Sequence, residues 1–117
     1  MMTIDRKHVN PRMSQIVVHG DTIYLAGQVA KNQSRGTVCE QTRETLYQIE
    51  SLLSEVGSDK TKLLSVTIYL ANISDFAAMN EVWDTWVAKD RAPARACVEA
   101  RLAHPDLRVE ISVVAAR

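Results

Sequence analysis

The sequence has no excess of charge of either sign. Fourteen Lys and Arg are matched by fourteen Asp and Glu over 117 residues, so nothing draws nucleic acid or an anionic membrane to the chain from a distance. Long apolar runs are missing too. No stretch approaches the roughly 20 residues that a membrane-spanning helix needs. The start, Met1-Met2-Thr3-Ile4-Asp5-Arg6-Lys7, has no signal-peptide core. Cysteine is scarce: Cys39 and Cys97 make neither a disulfide framework nor a paired-cysteine metal motif. His8, His19 and His104 show no ligand spacing, so no metal is expected. Phosphate loops, nucleotide fingerprints, serine-hydrolase elbows, repeats, low-complexity tracts and linkers are all absent. These absences leave a cytoplasmic chain with reduced thiols, one domain over residues 1–117. A chain of this length buries roughly two thirds of its unfolded surface and needs no covalent staple. Net neutrality also weakens self-repulsion, so association into an oligomer is easy.

What is present is alternation. In Pro93-Ala94-Arg95-Ala96-Cys97-Val98-Glu99 the residues Ala94, Ala96 and Val98 share one face, and Arg95, Cys97 and Glu99 the other. In Leu107-Arg108-Val109-Glu110-Ile111-Ser112-Val113 the apolar face is Leu107, Val109, Ile111 and Val113, with Arg108, Glu110 and Ser112 opposite. A period of two marks half-buried strands. If the two pair through Ala100 to Asp106, a guanidinium, a thiol and a carboxylate meet on one surface.

Earlier in the chain, Thr3 to Arg6 reads as a short edge strand before a polar link at Asn10-Pro11. Ile16 to His19 and Thr22 to Val29 read as a hairpin around Gly20-Asp21. From Cys39 to Val56 the pattern is helical, with Leu46, Ile49, Leu53 and Val56 on one stripe and Gly57 as a stop. Leu64, Val66, Ile68 and Leu70 alternate as a strand. Ser74 then caps a second helix reaching Ala88, whose stripe is Phe76, Met79, Trp83, Trp86 and Val87. The order β-β-β-α-β-α-β-β predicts a two-layer α+β domain, a mixed sheet of about six strands with both helices on one face. The other face, carrying Arg95, Cys97 and Glu110 beside Val17 and Tyr24, is left for solvent or another subunit.

Arg95 offers a planar fork suited to a carboxylate, and equally a surface ion pair with Glu110 or Glu99 worth about 0–1 kcal/mol. Glu110 reads as a water-positioning base or as an ordinary outward carboxylate. Cys97 reads as a small half-buried residue or as a nucleophile without a marked base. Asn80 lies on or beside the second helix's apolar stripe and needs a partner, backbone or site. Gly27 admits a ligand to the backbone or marks a bulge.

At Arg95-Ala96-Cys97-Val98-Glu99 and Val109-Glu110-Ile111 the chain closely resembles the reactive-intermediate deaminase family, RidA/YjgF. Ile23 to Val29, Gln41-Thr42, Leu52 to Gly57 and Asp75 to Asn80 match along nearly the whole length, most like the YoaB-like branch. The resemblance implies a chorismate-mutase-like fold, assembled as a homotrimer with sites between subunits. It implies cofactor-free hydrolysis of 2-imino acids or their enamine tautomers to 2-oxo acids and ammonia, in metabolite damage control. Carried over by position, Arg95 holds the substrate carboxylate and Glu110 positions water. Cys97 and Gly27 line the reacting centre, and Asn80 buttresses the pocket. The chain departs at Met13, where an aromatic residue is common, and at Ala26, where serine is common. Each departure removes a hydroxyl from the pocket. A non-catalytic 2-oxo acid sensor is the competing reading. RNA cleavage, suggested for relatives, fits poorly with zero net charge and no basic–aromatic stripe.

Overall fold

The computed structural model describes residues 2–117. Its elements are β1 (Ile4–Val9), β2 (Ser14–His19), β3 (Thr22–Gln28), α1 (Val38–Glu55), β4 (Leu63–Leu70), α2 (Phe76–Trp86), β5 (Ala94–Glu99) and β6 (Val109–Ala116). The strands form one six-stranded sheet in the order β1-β2-β3-β6-β4-β5. Every pairing is antiparallel except β4 with β5, which is parallel. A parallel pair needs a crossover connection, and α2 is that crossover. The expected two-layer α+β domain, with both helices on one face of a mixed sheet, is what forms.

Each element has a local cause. Gly20 takes a positive φ of 62° at the β2–β3 turn, where most side chains are strained. Thr37 and Glu40 close a capping box at the start of α1: Thr37 Oγ1 accepts from the Glu40 N–H at 3.1 Å, and Glu40 Oε1 accepts from the Thr37 N–H at 2.9 Å. Gly57, at φ 76°, ends it. Leu46, Ile49 and Leu53 of α1 pack with Met79, Val82 and Trp83 of α2 against Ile16, Ile23, Val66, Ile68, Ile111 and Val113.

Some sequence expectations shift. The edge strand runs to Val9 rather than Arg6. Asn72, not Ser74, takes the capping bond, accepting the Ser74 N–H at 2.9 Å over a 3-10 turn at Ile73–Asp75. The last strand starts at Val109, after Leu107. Leu64 is exposed, because a register shift between Leu63 and Ser65 puts Leu63 in the core instead. The larger correction concerns the last two strands, which do not pair. β4 lies between β5 and β6, so Ala100 to Asp106 crosses β4 rather than turning a hairpin.

One buried amide ties the layers together. Gln41 on α1 is 0% exposed. Its Nε2 donates to the carbonyls of Gly36 (3.1 Å) and Asp106 (3.0 Å), and its Oε1 accepts from the Arg108 N–H (2.8 Å). It therefore satisfies backbone that leads into β6 and has no ladder partner of its own. Gln41→Leu keeps the bulk but strands one backbone donor and two acceptors, at a cost of about 2–4 kcal/mol. Urea unfolding measures this, and an unchanged midpoint would mean that water replaces the amide.

Candidate functional site

The site begins with strand parity. Arg95 sits opposite Val66 and Cys97 opposite Ile68 on β4. Val66 and Ile68 are core residues under the helices, so Arg95 and Cys97 lie on the helix-covered side of the sheet edge. Glu110 pairs with Tyr69, one residue out of phase with Ile111, and so faces the uncovered side. Its row-mate on β5 is Val98, which pairs with Tyr69 from the other side. The expectation that Arg95, Cys97 and Glu110 share one face is overturned. On β5 the alanines and Val98 are the exposed set, while Arg95 and Cys97 are half-buried.

Three groups result. At the β5 edge, the Arg95 Nη1 donates to Asn80 Oδ1 at 2.7 Å. The partner Asn80 needs is thus a side chain. The guanidinium carbon lies 5.1 Å from the Trp83 ring centroid and 5.9 Å from that of Phe76. The apolar stripe of α2 puts Phe76 and Trp83 in the helix core and gives no contact with Arg95. The signal was there: Asn80 falls four residues after Phe76 and three before Trp83, so one helix face carries all three. Cys97 stands beside them. Burial pushes its thiol above the ordinary 9.0, with the Arg95 charge pulling the other way.

On the uncovered face, Glu110 lies against Gly27. A Cβ built at Gly27 collides with the Glu110 carboxylate, with Cδ only 3.0 Å away. Ala26 and Gly27 fall in the register shift between Leu25 and Gln28, so the glycine marks a bulge and admits a close approach at once. Glu110 forms no ion pair with Arg95 in the same chain. Met13 is in the third place, the β1–β2 turn, its N–H bonded to Asn10 Oδ1 at 3.0 Å. It is four strand positions from β5, about 19 Å across the sheet.

The roomiest of the described cavities, about 490 Å³, is lined by none of Arg95, Cys97, Asn80, Glu110, Gly27 and Met13. It lies between α1 and the β1–β2 hairpin and is crossed by its own bonds, His8 Nε2 to Glu55 Oε2 at 2.7 Å and Gln28 Nε2 to Gln15 Oε1 at 2.8 Å. Among the described residues no group of three His, Cys, Asp or Glu is placed to hold a metal ion, and no helix is long and apolar enough to cross a membrane.

A family model described as Endoribonuclease L-PSP matches residues 4–117. The RutC family protein YoaB of Escherichia coli is 45% identical over 115 residues, covering 98% of this chain and 99% of that one. A solved structure of a YjgF family member from Neisseria meningitidis is 48% identical with a TM-score of 0.95, covering 99% of this chain and 96% of that one. A Pseudomonas aeruginosa structure is 47% identical with a TM-score of 0.94, over 98% and 99% of the two chains. The chain belongs to the YjgF family.

In this YjgF family member, the edge site pairs a permanent cation with a thiol that stays protonated at neutral pH. Thiolate, not thiol, is the nucleophile. Alkylation of Cys97 by iodoacetamide, read by peptide mass so that Cys39 is counted separately, is therefore expected to be slower at pH 7 than for a free cysteine. It should still be climbing at alkaline pH where the rate of a free cysteine has levelled off. Rapid, complete modification at pH 7 would reveal a thiolate and reopen a nucleophilic role.

Proposed function

We propose that this protein is a cofactor-free deaminase that hydrolyses 2-imino acids or their enamine tautomers to 2-oxo acids and ammonia, working as a homotrimer with its sites between subunits. The observation that carries the reading is the state of Arg95. It is a half-buried guanidinium that makes one side-chain hydrogen bond, to Asn80, and has no carboxylate partner among the described residues. A desolvated cation without a counter-ion is poised for an anion, and a planar fork suits a carboxylate best. Glu110, fixed against the Gly27 backbone on the other face, supplies the water-handling group. Since one chain holds these groups on opposite faces, the reading requires that the Glu110 face of one copy meet the Arg95 edge of another. The partly exposed Tyr24 and Val98 on that face support such burial.

The chemistry asks little of the protein. Water oxygen adds to the imine carbon while Glu110 takes a proton from it. The proton returns to nitrogen, Glu110 takes the carbinolamine's hydroxyl proton as the C–N bond breaks, and ammonia leaves with the 2-oxo acid as the other product. A protonated imine is already electrophilic, so positioning and one acid–base group suffice, the latter typically contributing about 10²–10⁴-fold. Cys97, kept neutral, and the backbone at Gly27 line the reacting centre. Asn80 buttresses Arg95, and Met13 and Ala26 border the pocket.

A second reading, a non-catalytic 2-oxo acid binder, is favoured by Met13 and Ala26, which bring no hydroxyl to the pocket. The family description names an RNA-cleaving activity, but zero net charge gives this chain no electrostatic footprint for RNA.

The test generates 2-iminopropanoate with an amino-acid oxidase and follows its loss against semicarbazide trapping, with light scattering for assembly. Expected outcomes are a trimer and acceleration by wild type. Arg95→Ala should abolish the acceleration, and Glu110→Gln should lower turnover about 10²-fold or more with 2-oxo acid binding retained. Gly27→Ala should behave like Glu110→Gln, because its Cβ displaces the carboxylate. No acceleration at stoichiometric protein, or full activity in Arg95→Ala, would sink the deaminase reading. Unchanged ligand response in Glu110→Gln alongside absent turnover would favour the binder. Salt-sensitive RNA retention on a filter would favour the third.

A further inference from the structure

Arg95 has an aromatic seat of two unequal parts. Trp83, 5% exposed, lies 5.1 Å beneath the guanidinium carbon and fixes it by cation–π attraction that strengthens with desolvation. Phe76, 5.9 Å away, is 43% exposed and forms the rim. An anion held by the Arg95 fork therefore lies beside an exposed phenyl ring and the neutral Cys97 thiol, both apolar. Two acidic groups flank the start of α2 at that rim. Asp75 precedes Phe76, and Glu99, on the same strand face as Arg95 and Cys97, is tied to the start of the 3-10 turn, its Oε1 accepting the Ile73 N–H at 2.9 Å. The cations beyond Asp75 are Arg35 and Arg108. They share a cavity of about 250 Å³ with Asp75 and Asp106, and Arg35 is paired with Asp106 at 3.4 Å.

We infer that Phe76 determines the substrate class and that Trp83 positions Arg95: the site prefers 2-imino acids with apolar branched or aromatic side chains over those carrying a second carboxylate. The inference rests on the deaminase reading. An apolar side chain gains contact with the ring, worth about tenfold in kcat/KM for one or two methylene groups. A second carboxylate meets Asp75 and Glu99, and Arg108, which forms no ion pair among the described residues, shares its cavity with Asp75 and Asp106.

The experiment compares imines made in situ from leucine, alanine and aspartate by the matching oxidases, with wild type, Phe76→Ala, Phe76→Leu and Trp83→Phe, each first checked for unchanged thermal unfolding. Wild type is expected to rank leucine imine above alanine imine above aspartate imine. Phe76→Ala should lose about tenfold in kcat/KM on the leucine imine and about twofold or less on the alanine imine, with Phe76→Leu restoring most of it. Trp83→Phe should raise KM for all three by a similar factor with kcat held, as a loosened anchor predicts and a general folding defect does not. Equal rates on the three imines, or unchanged discrimination in Phe76→Ala, overturn the inference while leaving the deaminase standing. If wild type hydrolyses none, the deaminase reading falls. Calorimetry with the three corresponding 2-oxo acids then decides selectivity by itself, and equal or absent binding overturns it.

Discussion

Side chains leave a strand on alternate faces, and β6 applies that rule at the centre of the sheet. Val109, Ile111, Val113 and Ala115 are buried under the helices, so Glu110, Ser112 and Val114 face the other way. A slip of one residue exchanges the two sets. It would drive an ionised carboxylate into the core, where an unpaired charge is very costly, and expose four apolar side chains. The core and the presentation of Glu110 are thus one decision about register. The bulge at Ala26 and Gly27 lets β3 follow β6 while leaving room for the carboxylate.

The layers were legible because they rest on local signals. Gly20 between two β-rich runs, the stripe from Leu46 to Val56 with Gly57 after it, and the alternation from Val66 to Leu70 each name their element without tertiary information. What the sequence hid was non-local. Alternation gives the faces of a strand but not its neighbours, so β5 and β6 read as a hairpin although β4 intervenes. Nor does it give which face is covered. Ala94, Ala96 and Val98 looked like the buried face of β5, yet α2 covers the side of Arg95 and Cys97. At an edge strand under the end of a short helix, the cover is an amide and two aromatic rings, which suits a guanidinium better than a methyl group. The residues proposed for the chemistry were found individually; their separation into two faces was not.

The environment of Arg95 also explains why polarity inverts there. A half-buried cation is best tolerated when its hydrogen bonds and its charge are both answered. Here the answer from within the chain is partial: one neutral amide, which leaves the charge intact, and the negative faces of two rings. Such a site favours an anion from outside over no anion at all. Pairing Arg95 with Glu99 would have been simpler, but that carboxylate is taken up by the Ile73 N–H. The same bond that ties down the turn before α2 keeps a competing carboxylate away from the guanidinium.

On the proposed reading, a single chain holds both halves of a site and completes neither. Arg95 and Glu110 are two strand positions apart, about 10 Å, with the sheet itself between their faces. No side-chain rearrangement closes that gap, because each residue's direction is fixed by strands whose other members fill the core. Turning the uncovered face of one copy toward the edge of the next is the arrangement that lets both groups reach one small molecule. It also withdraws Tyr24, 47% exposed, and its neighbours from water, at about 25 cal/mol for each Å² of apolar surface. Assembly and activity would then share a driving force. A substitution that weakens the packing of this face should lower activity at low protein concentration and leave it intact at high concentration, a dependence that damage to Arg95 or Glu110 does not produce.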